Sequence, residues 1–232
     1  MLRLLPASAR AKRYRKVKLA LRRANGILRD VRDSAVARET LGSIARRLPT
    51  MRPAILALEQ LWLLRGDPRS MLSARDCRRA HNDLKEAARL IRKGFARQWR
   101  DHKLLLEVTN TYRKASRFYR RAARTHSKHA WHECRKQTKC LYYQLNFMGL
   151  PKSRGAILQQ VRLLESTLGR QRDIALLAKQ IRRLNIDSVA GASDVLLYLH
   201  KRHRALQRLV NRYAAALFRS DPSAFARRVH QS

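Results

Sequence analysis

From residue 6 to residue 222 the chain is a succession of long segments whose apolar residues recur at helical spacing. The proline-bearing stretches fall between those segments. Glycine and proline are few, 8 and 6 residues, and strand-type alternation is absent, so an all-α chain is expected. Pro6 and Ser8 open a first helix running to about Val31, with Leu19, Ile27, Leu28 and Val31 as its apolar side. Asp33 can cap a second helix over 34–48, which Pro49 and Pro53 break. Residues 54–64 make a strongly apolar helix ended by Gly66-Asp67-Pro68. Helices over about 73–99 and 101–124 come next, then one starting near 126 that Gly149-Leu150-Pro151 stops. Residues 153–168 and 173–184 form two more, separated near Gly169. After a loop at 185–192, Ser193 caps a long helix to about Phe218, and Asp221-Pro222 starts a short last one.

What covers these helices is basic. The 53 Lys and Arg face only 16 Asp and Glu, a formal charge of +37. Self-repulsion of that size destabilises a compact state, and a polyanionic partner is the usual reason for carrying it. Arginine predominates over lysine, which favours forked contacts with phosphate oxygens. The apolar share, 45%, is that of an ordinary globular chain. Cys77, Cys134 and Cys140 are an odd set without framework spacing and read as reduced thiols of a cytoplasmic protein. No apolar run reaches the length of a membrane span, and no signal-peptide layout is present.

The charge is arranged in rows. On the helix after residue 126, His132, Arg135, Lys136, Lys139 and Tyr143 share one face, while Leu141, Leu145 and Met148 lie on the other and can bury. The first helix offers Lys18, Arg22, Asn25, Arg29 and Arg32. The helix over 101–124 offers Arg113, Arg117, Arg120, Arg121 and Arg124, and the last long one His200, Arg204, Gln207, Arg208 and Asn211. A single basic row is often just a solvated face. Several together, without Glu or Asp to neutralise them, point to a polyanion. Tyr112, Tyr119, Tyr142 and Tyr143 interleave with arginine and can stack bases, though such residues more often pack between helices with the hydroxyl at a polar rim. His126, His129 and His132 drift around the helix and do not converge on one ion, so no metal site and no cofactor are expected. Carboxylates are sparse and no phosphate-binding loop motif appears, so catalysis is not expected either.

The chain also repeats itself. Leu28-Arg29-Asp30-Val31-Arg32-Asp33 matches Leu168-Gly169-Arg170-Gln171-Arg172-Asp173, 140 residues on, and Arg22 then pairs with Arg162. Upstream, Leu4-Leu5-Pro6 resembles Gly149-Leu150-Pro151, so Met1 corresponds to Asn146. The first half therefore lacks a counterpart of the His132–Tyr143 helix, which reads as a chain truncated at its N-terminus in preference to a variant that makes do with one such helix. Asp33 and Asp173 are expected at helix junctions, capping exposed N–H groups and pairing with an arginine.

HECRKQTKCLYY resembles the H-x-x-R-x-x-x-K-x-L-x-Y helix of CHAD domains, the histidine-containing α-helical domains. LRDVRD and LGRQRD resemble the L-G-x-x-R-D segment present once in each half of those domains. The likeness covers nearly the whole chain, with two departures: Tyr142 stands where the family often has a basic residue, and Arg29 replaces the first glycine. The resemblance implies one domain of two pseudo-symmetric helical bundles, here 1–125 and 126–232, facing a central basic groove. It implies binding of inorganic polyphosphate, association with polyphosphate granules and no catalysis by the domain itself. Carried over by position, His132, Arg135, Lys136, Lys139 and Tyr143 match the helix motif, and Arg32 and Arg172 the repeated Arg-Asp. With the rows, the expected polyphosphate contacts are these and Lys18, Arg22, Arg29, Arg162, Arg117, Arg121 and Arg204. Binding to nucleic acid is the alternative that charge alone permits, as a secondary ligand or instead of polyphosphate.

Overall fold

The computed structural model describes residues 7–64, 72–95, 101–148, 155–184 and 186–230. Among them no strand occurs, and the elements are α1 (Ala7–Arg47), α2 (Arg52–Leu64), α3 (Ala74–Phe95), α4 (Asp101–Thr125), α5 (Lys128–Phe147), α6 (Gly155–Ile181), α7 (Ala192–Leu217) and α8 (Pro222–His230). Short 3-10 turns sit at Pro49–Met51 and Ile186–Ser188. The start expected at Pro6 and the stops expected at Gly66-Asp67-Pro68, at Trp99 and at Gly149-Leu150-Pro151 lie outside the described residues.

Two expected breaks are absent. α1 is one helix of 41 residues and runs straight through Asp33. An aspartate ends a helix when its carboxylate takes the backbone N–H groups just after it. Asp33 instead accepts from Arg32 Nη2 at 3.0 Å and from Arg172 Nη2 at 3.4 Å, and lies buried in mid-helix. The carboxylate is satisfied from the side, so the backbone continues. α6 likewise runs through Gly169 and Asp173, the glycine costing about 1 kcal/mol of helix propensity without stopping it. Asp173 is therefore no cap. Its Oδ1 lies 3.6 Å from Arg172 Nη1. Ser193 stands inside α7 rather than before it.

Other starts follow local chemistry. Ser73 Oγ accepts from the Asp76 N–H at 3.0 Å and donates to the Asp76 carboxylate, a reciprocal cap for α3. Ser127 Oγ accepts from the Ala130 N–H at 3.3 Å and opens α5. Asp221 Oδ1 accepts from the Ser223 and Ala224 N–H groups at 2.8 and 2.9 Å and opens α8. Gly191, at φ +78°, turns the chain into α7, and a Cβ there would meet the Ala54 Cβ at 3.1 Å.

The chain divides into two compact units. One comprises residues 101–170 and 206–230, with α4 packed on α5 and on α8. Its core joins Val108, Leu141, Leu145, Val161 and Leu164 to an aromatic group in which Tyr112 stacks on Phe225 at 3.9 Å. The other comprises residues 7–95 and 171–205, with α1 packed on α3 and on α2. α1 buries Val17, Ala20 and Ala24, and α3 buries Ala80 and Ala87; such small side chains let helix axes come close. Here the expected apolar side of α1 was misplaced. Leu19 is 53% exposed, and Ile27, Leu28 and Val31 are only half-buried.

Candidate anion-binding site

In the α4–α5 unit, α5 shows the two faces its spacing predicts. Ala130, Cys134, Gln137, Thr138, Leu141, Gln144 and Leu145 are buried, with Met148 half-buried just beyond. His132, Lys136 and Tyr143 are exposed, and Arg135 and Lys139 half-exposed. The stripe is not wholly free for a ligand. Lys136 Nζ donates to Glu133 Oε1 at 2.8 Å, and that bond holds the Glu133 carboxyl below its usual range. Lys139 Nζ stands 5.7 Å from the centre of the Tyr143 ring, a cation–π arrangement. Burial pushes the Cys134 thiol up to about 12, which leaves it a neutral core side chain.

A second cation group of this unit is on α4. Arg113, Arg117, Arg120, Arg121 and Arg124 line a groove of about 470 Å³ with Ser116 and Pro222. They recur at i, i+4, i+7, i+8 and i+11, so the row runs about 16 Å along the helix. Among the described residues, none of the five makes an ion pair with a carboxylate. Arg113 Nη1 donates to Asn110 Oδ1 at 2.9 Å, and Arg117 lies over the Phe118 ring. A row of guanidinium groups without carboxylate partners creates a strong positive potential. Arg162, on α6, is exposed in the same unit.

Two of the four tyrosines are structural. Tyr112 is fully buried and donates to the Leu217 and Ser220 carbonyls at 2.9 and 2.7 Å, and burial pushes its hydroxyl up to about 12. Tyr119 is half-buried and donates to the Asn211 carbonyl. Neither ring is open for stacking on a base; Tyr143 is exposed, with Lys139 and the Tyr142 ring beside it.

In the α1–α3 unit, Lys18, Arg22, Asn25, Arg29 and Arg32 form an exposed face of α1, with Arg204 exposed on α7. Arg32 and Arg172, expected to contact phosphate, are largely committed within the protein. Arg32 donates to Asp33 and, through Nη1, to Asn25 Oδ1 at 3.1 Å; Arg172 donates to Asp33 and pairs with Asp173. A second groove, of about 570 Å³, is lined by Arg22, Arg23, Gly26, Ile27, Arg79, Asn82 and Asp83. Arg23 and Asp83 bridge it, Nε to Oδ1 at 3.0 Å, and that bond lowers the Asp83 carboxyl and raises Arg23. Sequence reasoning missed Arg79 and Asn82 here, and Ser116 and Pro222 in the α4 groove. Arg79 carries no mark to separate it from other arginines of α3, while Pro222 was visible only as a helix start.

Among the described residues no group of three or more His, Cys, Asp or Glu is placed to hold a metal ion. No described helix is long and apolar enough to cross a membrane.

A strongly basic all-helical chain, with arginine grooves and few counter-charges, is of the class that meets anions. The chain belongs to the CHAD domain family, whose model matches residues 1–182. No curated protein and no solved structure matches it.

Proposed function

We propose that this chain binds inorganic polyphosphate, without catalysis, through the arginine groove of α4 and the basic faces of α1 and α5. The observation that carries the reading is the set of five α4 arginines that lack a carboxylate partner among the described residues, in a chain of the CHAD family. Polyphosphate offers a dense line of phosphate oxygens with no base and no apolar surface. Its binder needs many convergent donors, and counterion release then supplies much of the free energy. The sparse carboxylates, several held by Arg or Lys as at Asp33, Asp83 and Glu133, leave little to hold a catalytic Mg²⁺. A cytoplasmic location on polyphosphate granules is part of the same proposal.

The test is a comparison of two triple variants. Arg113, Arg117 and Arg121 changed to Ala should lower polyphosphate affinity about 10- to 100-fold and flatten the salt slope by about 2, the loss of some three phosphate contacts. Arg75, Arg78 and Arg89, exposed on α3 outside both grooves, are the matched background. Equal losses from the two triples would mean that the bulk charge binds, not the groove.

A further inference from the structure

We propose that the groove between α1 and α3 binds a free nucleotide, with Arg22 and Arg79 on its phosphates and the base against Gly26 and Ile27. The site is separate from the α4 groove and goes beyond the polyphosphate reading, on which it does not rest. Two helices of one unit build it, and a forked pair ties them together. Arg23 Nε donates to Asp83 Oδ1 and Oδ2 at 3.0 and 3.2 Å, and its Nη2 donates to Oδ1 as well. Such a pair fixes both side chains and cancels their charges. Arg22 and Arg79 differ from Arg23. Both are exposed and both line the groove, one from each helix. Among the described residues neither has a hydrogen-bond or ion-pair partner, and the exposed Asn82 has none either.

The rest of the lining is apolar. Gly26 is exposed, and a Cβ built there would meet no atom within 4 Å, so its backbone lies open to a ligand. Ile27, half-buried, follows it in the lining. Along α1 the surface thus passes from the Arg22 guanidinium to bare backbone in about one turn, roughly 6 Å. Inorganic polyphosphate has nothing to place against glycine backbone and isoleucine. A nucleotide has both parts: phosphate oxygens for forked donors, and a flat ring that lies on open backbone or stacks on a guanidinium plane. The Asn82 amide offers a donor and an acceptor together, the pairing that a base edge takes. The groove, at about 570 Å³, falls within the span of small-molecule sites, about 300–1,000 Å³.

The experiment titrates the full chain with ATP and with tripolyphosphate, which has the same three phosphates and no ring, at about 0.15 M salt without divalent metal. ATP should bind about tenfold more tightly, the size of one stacked base. Gly26→Leu fills the groove where space is free, and leucine is the better helix former, so the variant keeps its fold. It should bring ATP down to the affinity of tripolyphosphate. Arg79→Ala adds no bulk and should weaken ATP about tenfold, while the Arg113, Arg117 and Arg121 triple variant should keep the lead of ATP. Equal affinity of the two ligands for the unaltered protein overturns the site. So does a lead that survives Gly26→Leu, an ATP affinity unchanged by Arg79→Ala, or a lead lost in the α4 triple variant, since the nucleotide then sits elsewhere. Failure of long-chain polyphosphate to bind would remove the function proposed for the α4 groove and leave this result standing.

Discussion

Arg172 Nη2 lies 3.4 Å from Asp33 Oδ1, joining two residues 139 positions apart. The two belong to the two copies of one sequence repeat, so the second copy's arginine serves the first copy's aspartate. Arg32 completes the group from the other side at 3.0 Å. Two guanidinium groups, each partly in water, thus hold one buried carboxylate. Asp33→Ala would remove the carboxylate they share, leaving Arg32 to Asn25 and Arg172 to Asp173, and should cost about 2 kcal/mol, below the range for a fully buried pair because the arginines keep other partners and some hydration. Urea unfolding of the variant checks this. An unchanged midpoint would mean that the pairing is incidental to stability.

The same relationship explains where the sequence misled. Asp33-Ser34 after an apolar segment has the form of a helix start, and the residue that cancels that signal lies far along the chain. No local rule reaches it. Leu19 was expected inward as part of an apolar side with Ile27, Leu28 and Val31, but α1 packs against α3, which buries Ala80 and Ala87, and Val17, Ala20 and Ala24 are the α1 residues that bury. By contrast the α5 faces, the Ser73 start of α3 and the Asp221 start of α8 depend on neighbours within a turn or two, and were legible. The α4 arginine row was legible as a row. That it forms a groove was not, because Pro222 arrives only through the hydrogen bonds of a buried Tyr112.

Tyr112→Phe keeps the ring stacked on Phe225 and removes both hydrogen bonds to the α7–α8 turn. It should destabilise the α4–α5 unit by about 1–2 kcal/mol near neutral pH. Burial raises the folded-state hydroxyl from 10.0 to about 12. The stability it contributes is therefore complete below about pH 10 and is lost as pH rises towards 12. The gap between wild type and Tyr112→Phe should narrow across that window. A constant gap would show that the hydroxyl does not titrate differently on unfolding.

Glu133 is the carboxylate within the α5 stripe, and it holds Lys136 at 2.8 Å. Glu133→Gln removes one negative charge and releases the ammonium group. Polyphosphate should then bind more tightly by about 3- to 10-fold at low salt, with the gain shrinking as salt screens the site. Titration at two salt concentrations measures it. No gain at either would remove the α5 stripe from the binding surface.

The most direct measurement is binding of long-chain polyphosphate and charge-matched single-stranded DNA, at about 0.15 M salt and again at higher salt. Polyphosphate should bind more tightly and keep its lead as salt rises, because convergent arginine forks select phosphate geometry beyond charge. If the two ligands bind equally and fade together, the arginine groove selects nothing, and the chain is a basic surface open to any polyanion.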